Sequence, residues 1–248
     1  MLQLENLDPS VLLTSHGLIA LLTLTALEIV LGIDNIIFIS IISNSLSQKA
    51  DQRKARQMGL ALAMITRILL LLSLSWVMGL DEPFATVMGH SFSGRDVVLL
   101  AGGLFLIYKA TAEIHEKVTG RKGKEKARKR AKGLASVVFQ IILIDIVFSL
   151  DSVITAVGMS NEIIIMVLAV IIAVGVMMLA AGAISGFVEK HATVKVLALA
   201  FLVMIGVALL AEGMGEHFNK NYIYFAMGFS VLVEMLNLRM ARNQIIEE

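Results

Sequence analysis

The sequence predicts an all-α polytopic membrane protein: seven transmembrane helices in one domain, two inverted three-helix repeats plus one extra helix. Three observations carry this. Apolar residues make up 57% of the 248 residues and charged residues only 17%, too lopsided for a soluble domain. The apolar residues fall in blocks of about 20, the length that spans a hydrocarbon core. A motif in the first block returns in the fourth, 117 residues later.

The first block covers about residues 17–42. No Lys or Arg precedes it and Glu28 interrupts its apolar run, unlike a cleaved signal peptide, so it is expected to be a retained helix. A basic loop at 43–57 follows, with Lys49, Arg53, Lys54 and Arg56. Block two, 58–80, contains Arg67 and ends at Asp81-Glu82-Pro83, where proline stops a helix. The stretch to Ser93 is expected to be a loop. Block three, 95–112, runs into Glu113, His115 and Glu116. Residues 117–132 then hold nine Lys or Arg. Block four, 134–158, is joined to block five, 163–188, by a tight turn at 159–162. Block six, 194–210, ends in Glu212, Glu216 and His217, and block seven is 222–238.

Loop charge orients these spans. The loops after spans one, three and five and the C-terminus hold 4, 9, 1 and 2 Lys or Arg, whereas the opposite side holds only Lys220. The positive-inside rule then puts the N-terminus outside and the C-terminus in the cytoplasm. Repeat one is expected at about 17–116, repeat two at about 134–217 and the seventh helix at about 222–238, with a cytoplasmic basic loop at 117–133. Three spans per repeat is an odd number, so the second copy enters from the opposite side. Such inverted repeats are a transporter architecture, with the substrate site near the midplane.

The repeated motif is an acid, an Asp six residues later, and then a small polar residue. It reads Glu28…Asp34-Asn35 in span one and Asp145…Asp151-Ser152 in span four. An acid at the middle of a membrane helix costs roughly 2.5–3.5 kcal/mol, so four cost on the order of 10 kcal/mol if unpaired. A bound cation, protonation or a basic partner must compensate. Arg67 is the one Lys or Arg well inside a span, and one cation does not neutralise four acids. Helical spacing puts Glu28, Gly32 and Asn35 on one face, and Asp145, Ser149 and Ser152 on the equivalent face of span four. Asp34 and Asp151 sit about 100° further round. Either the two aspartates turn to a neighbouring helix, or the helices open near Gly32 and Ser149 and add free carbonyls as ligands. Carboxylates, an amide oxygen and a hydroxyl are hard ligands, suited to magnesium, calcium or manganese rather than zinc or copper. The bland alternative is that these acids only bind helices together through hydrogen bonds.

Weaker features surround this set. Glu113 and Glu116 at one membrane face, and Glu212 and Glu216 at the other, are either matching acidic mouths or solvated helix ends. Glu234 and Asn237 on span seven either line the pathway or bond helix to helix. The fourteen methionines are scattered as packing residues. The basic loop is read as a topology anchor touching anionic lipid, not as a nucleic-acid site. With no cysteine, thiolate chemistry and disulfides are excluded. No phosphate loop, nucleophile elbow or HExxH motif is present, so no enzyme activity and no permanently bound cofactor is expected.

The paired motifs, with Gly-Gly-Leu-Phe-Leu-Ile at 102–107 and Val-Glu-Met-Leu-Asn at 233–237, resemble the signatures of the TerC family of bacterial integral membrane proteins. The closest likeness is to its small branch without appended cytoplasmic domains, the YgdQ-like proteins. The family takes its name from a tellurium-resistance locus, and several members are linked to manganese export. The resemblance therefore implies export of a divalent cation across the bacterial inner membrane, Mn2+ first, with Ca2+ or Mg2+ as alternatives. It makes Glu28, Asp34, Asn35, Asp145, Asp151 and Ser152 the matching metal positions. The cation would be the transported substrate, and surplus carboxylates suggest proton coupling. The rival class is a non-transporting membrane partner in metal delivery or stress resistance.

Overall fold

A computed structural model describes the backbone of residues 9–73, 77, 79–80, 82–87, 90–119, 133–159, 162–216 and 221–247. After a 3-10 turn at Pro9–Leu13 come seven long helices: α1 Ser15–Ser43, α2 Lys49–Leu72, α3 Gly94–Val118, α4 Leu134–Met159, α5 Ile163–Lys190, α6 Ala192–Gly213 and α7 Asn221–Glu247. A two-stranded antiparallel hairpin, β1 Pro83–Val87 and β2 His90–Ser93, stands between α2 and α3. Among the described residues, six of the helices are long and apolar enough to cross a membrane, and Leu134–Leu150 of α4 forms a shorter apolar segment. Much of the basic loop, 120–132, and the turn residues Ser160 and Asn161 lie outside the described residues.

Local chemistry fixes the helix ends. Thr14 caps α1 by accepting from the Gly17 N–H. Ser93 and Asp96 form a reciprocal capping box at α3, which ties the hairpin to that helix. Two sequence expectations need correction here. Helix α2 begins at Lys49, about two turns before the apolar block, so Arg53, Lys54 and Arg56 stand on a helix and not in a loop. The reason is its buried stripe, Gln52, Ala55, Gly59, Ala63, Arg67 and Leu71, which already has helical spacing before the sequence turns apolar. Likewise the stretch before Ser93 pairs as a hairpin, with Pro83 opposite Ser93 and Val87 opposite His90.

Packing direction follows from which residues meet. Helices α1 and α2 are antiparallel, since Glu28 meets Arg67 while Asn44 meets Arg56. Helix α4 runs parallel to α2: Gly59 lies against Ile141 and Arg67 against Asp145. Helix α5 runs parallel to α1, with Gly32 against Met177 and Asn44 beside Ser185. Helix α3 packs on α6, α1 on both α5 and α4, α2 on both α4 and α5, and α7 on α6. The core threads through α1 to α6, from Leu24 and Ile39 to Leu106, Ile141, Ala173 and Leu199. Large apolar side chains such as Leu22, Leu104, Phe139, Leu179, Phe225 and Phe229 stay exposed on the outer faces, as lipid-facing surfaces do.

The α3–α6 contact is an antiparallel seam of small residues. A Cβ placed on Gly103 would lie 2.7 Å from the Gly206 carbonyl oxygen, and one on Gly206 would lie 2.9 Å from the Gly103 carbonyl oxygen. The two backbones touch, which only glycine permits. Gly103→Ala and Gly206→Ala are each expected to lose about 1–3 kcal/mol, read as a lower melting temperature of the purified protein in detergent. Gly182→Ala has open space around it. It should melt at or above the wild-type temperature, with a gain of up to about 1 kcal/mol. Wild-type melting in both seam variants would show that the seam is not close-packed.

Candidate functional site

The buried faces of α1, α2 and α4 meet at one guanidinium. Arg67 Nη1 donates to Glu28 Oε2 at 2.7 Å, and Nη2 donates to Asp145 Oδ1 at 2.7 Å. Arg67 Nε approaches both Asp145 oxygens at 3.3 Å, so the pair to Asp145 is side-on. Ser149 Oγ, one turn along α4, donates to Asp145 Oδ2 at 3.1 Å. All three charged residues are buried: Arg67 is 3% exposed, Glu28 4% and Asp145 3%. With both acids ionised, the cluster carries one formal negative charge.

The geometry follows from spacing. On α2, Ala63, Arg67 and Leu71 recur every four residues and place the guanidinium inward. On α1, Leu24, Glu28, Gly32 and Asn35 are all buried. On α4, Ile141, Asp145 and Ser149 share the inward face. Burying ions in a low-dielectric interior is costly, and here three helices each contribute one charge to meet that cost. A narrow space adjoins Glu28 and Arg67, lined also by Leu24, Leu71, Val153 and Met166, with about 10 Å³ open to water. That is about the room of a single water molecule.

Both helices pass through the repeated motif without a break. Helix α1 is continuous over Gly32 and α4 over Ser149, which rules against the alternative in which the helices open there. Gly32 is occupied in packing, because a Cβ on it would strike Met177, and the Ser149 hydroxyl is engaged with Asp145. Asn35 is buried on α1. The side chains of Asp34, Asp151 and Ser152 lie outside the described residues. Their backbones are helical, and the helical rise puts positions 34 and 151 about 9 Å along the axis from Glu28 and Asp145. Because α1 and α4 are antiparallel, these offsets point in opposite directions. Among the described residues, no group of three or more His, Asp or Glu side chains is placed to hold a metal ion.

The remaining candidates do not gather at this centre. Glu212 forms an ion pair with Arg95 across the α3–α6 seam, so it is a latch between helices and not a bare acidic mouth. Glu216 is exposed beyond the end of α6, and Glu113 and Glu116 are half-buried near the far end of α3. Glu234 and Asn237 stand on α7, whose packing is with α6, away from Arg67.

One polar group had no signal in the motif search. Where α1 turns into α2, Ser40, Ser43, Asn44, Gln52 and Ser185 are buried together. Arg56 Nη1 reaches Asn44 Oδ1 at 3.4 Å and Ser43 Oγ at 3.5 Å, Ser185 Oγ donates to Asn44 Oδ1 at 3.4 Å, and Gln52 Nε2 donates to the Leu46 carbonyl at 2.8 Å. The contacts join α1, α2 and α5 at one end of the bundle. The only hint in the sequence was a run of Ser and Asn at the end of an apolar block.

The profile of the integral membrane protein TerC family matches residues 13–245. A UPF0053 protein of Haemophilus influenzae is 56% identical over 224 residues, covering 90% of this chain and 94% of that one. The UPF0053 inner membrane protein YgdQ of Escherichia coli K12 is 53% identical over 220 residues, 89% of this chain and 92% of its own. The UPF0053 inner membrane protein YoaE of the same strain is 49% identical over 228 residues, 91% of this chain but 43% of that longer protein. No solved structure matches the chain.

Neutralising either acid leaves Arg67 paired with the other, a formally neutral couple, but takes charge-assisted hydrogen bonds from a buried guanidinium. Asp145→Asn is expected to lower stability by about 1.5–3 kcal/mol, and Glu28→Gln by an amount nearer the lower end, because Asp145 meets two edges of the guanidinium and Glu28 one. Thermal unfolding in detergent measures both, and equal melting to wild type in either would contradict the pairing.

Proposed function

The chain belongs to the integral membrane protein TerC family, and from that premise we propose that it is an exporter of divalent metal cations, Mn2+ first, in a bacterial inner membrane. One observation carries the reading: Glu28 and Asp145, 117 residues apart and each opening a copy of the same motif, converge on one point in the bundle. Helix packing alone does not need a duplicated spacing of acid, aspartate and amide or hydroxyl.

The packing supports two inverted repeats, α1–α3 and α4–α6. Helix α1 on α5 is matched by α4 on α2, and α1 on α6 by α4 on α3, while α3–α6, α1–α4 and α2–α5 pair each element with its counterpart. With α7 added, seven spans put the N-terminus outside and the C-terminus in the cytoplasm. The relative YgdQ, named an inner membrane protein, supports the location. In this proposal the cation is substrate, no cofactor is bound and no catalysis occurs. Glu28 and Asp145 flank the ion, and Asn35 and Ser152, about 10 Å along the axis to either side, offer neutral oxygens on the way to and from that point. Asp34 and Asp151, displaced about 9 Å to opposite sides, take the ion on its approach to that point or carry a counter-transported proton. Rocking of one repeat against the other exposes the site to each side in turn. The basic segment 117–132 rests on anionic lipid.

A second reading has one observation in its favour. Arg67 already partners Glu28 and Asp145, as a purely structural lock would. The protein would then be a non-transporting membrane partner in metal delivery or stress resistance.

Flux into liposomes loaded with a metal-sensing dye separates the two. Wild type is expected to carry Mn2+, ahead of Ca2+ and Mg2+. Asp34→Ala and Asp151→Ala should each cut that flux at least about tenfold, the loss of about 1.4 kcal/mol or more of transition-state stabilisation. Flux untouched by both substitutions would sink the site assignment. No flux of any of the three cations would favour the partner reading.

A further inference from the structure

We infer that Arg67 is the resident counter-ion of the transport site: it holds the cation's place between Glu28 and Asp145 while the site is empty, and a divalent cation binds there only by displacing it. This rests on the transport reading above.

The argument is one of charge and space. Glu28 and Asp145 carry two negative charges, and the guanidinium supplies one positive charge between them. A divalent ion in the same position neutralises the pair fully, whereas a monovalent ion only equals what Arg67 already provides. Guanidinium and divalent ion together would leave the two acids outnumbered, three charges to two. The two cations therefore compete for the same oxygens. The geometry leaves little choice, since Arg67 meets Glu28 with one edge and Asp145 with another, and Ser149 takes a further Asp145 lone pair. The adjoining space has room for about one water and is otherwise lined by Leu24, Leu71, Val153, Met166, Ala169 and Val170. Arg67 thus has nowhere charged to retreat to among the described residues lining that space. Its withdrawal must accompany a shift of α2 relative to α1 and α4, which links ion entry to helix movement. Such an arrangement answers a problem that every intramembrane acidic site faces when empty, namely how its carboxylates are compensated between one ion and the next.

The test uses purified full-length protein and Mn2+ alone as probe. A ligand's apparent affinity falls by the fraction of time its site is available. If Arg67 occupies the site about nine-tenths of the time, Arg67→Gln should bind Mn2+ about tenfold more tightly than wild type by titration calorimetry. Metal-free Arg67→Gln should melt below wild type, and added Mn2+ should raise its melting temperature by more than it raises that of wild type. Turnover in liposomes should fall, because the bound ion is no longer pushed out by the returning guanidinium. Arg67→Lys keeps the charge and loses the side-on pair, so its Mn2+ affinity should move in the same direction by less, and it reads the same quantity should Arg67→Gln not fold. Wild-type flux together with unchanged or weaker Mn2+ binding in both variants overturns the inference and leaves the transport reading standing. A low melting temperature that Mn2+ does not restore also overturns it, and marks Arg67 as a structural lock. A wild type that neither binds nor carries Mn2+, Ca2+ or Mg2+ overturns the transport reading and this inference with it.

Discussion

The structure turns on a charge-compensation constraint. Two acids at the middle of two apolar helices need compensation, and the chain supplies a cation from a third helix. That requirement fixes the rotation of α1, α2 and α4 about their axes. It explains why α2 buries an arginine on a face that, beyond Gln52 at its start, is otherwise made of Ala, Gly and Leu. It also explains why Ser149 is one turn beyond Asp145, where its hydroxyl takes a lone pair that the guanidinium leaves open. Apolar packing gives these helices their attraction, but among Leu and Ile faces it discriminates poorly between rotations. The ion cluster does discriminate, because a misplaced helix would strand a charge.

Away from this point the bundle is held by different means. Helices α3 and α6 lie so close at Gly103 and Gly206 that their backbones touch, with the Arg95–Glu212 pair latching the same seam. At the α1–α2 turn the seam is polar, with Arg56, Asn44 and Ser185 joining three helices. A buried charged centre, a close-packed glycine seam and a polar knot are three kinds of contact with different responses to disturbance. Close packing is intolerant of a single methyl group, whereas hydrogen bonds of 3.4 to 3.5 Å are readily exchanged for water.

Much of this was legible in the sequence because it depends on pattern. Apolar blocks matched α4 and α5 to within two residues at each end, whereas α3 and α7 run on past their blocks, to Val118 and Glu247. The repeated acids pointed to the right place in α1 and α4, since a carboxylate in an apolar helix is conspicuous by composition alone. What was not legible depends on partners far apart in sequence. Arg67 was visible as a lone basic residue in a span, but counting charges against four acids hid that it meets two of them directly. The early start of α2 was masked because Lys49 to Arg56 are charged, although Gln52 and Ala55 already keep the buried spacing. The hairpin at 83–93 lacked apolar alternation, and its register is set by its attachment to the capped start of α3. The suspected opening at Gly32 failed because glycine there serves close approach of Met177, a use that sequence does not distinguish from helix breaking.

Glu28 lies near the middle of α1, about 20 Å from either end by helical rise. A rod held at its centre is a balanced lever. Tilting α1 by about 10° about that pin would carry one end about 3–4 Å outward and the other as far inward, with almost no motion at the pin itself. In such a tilt, whatever widens the gap around one end of the helix narrows it at the other, and the Arg56–Asn44–Ser185 contacts at the C-terminal end of α1 would be strained first.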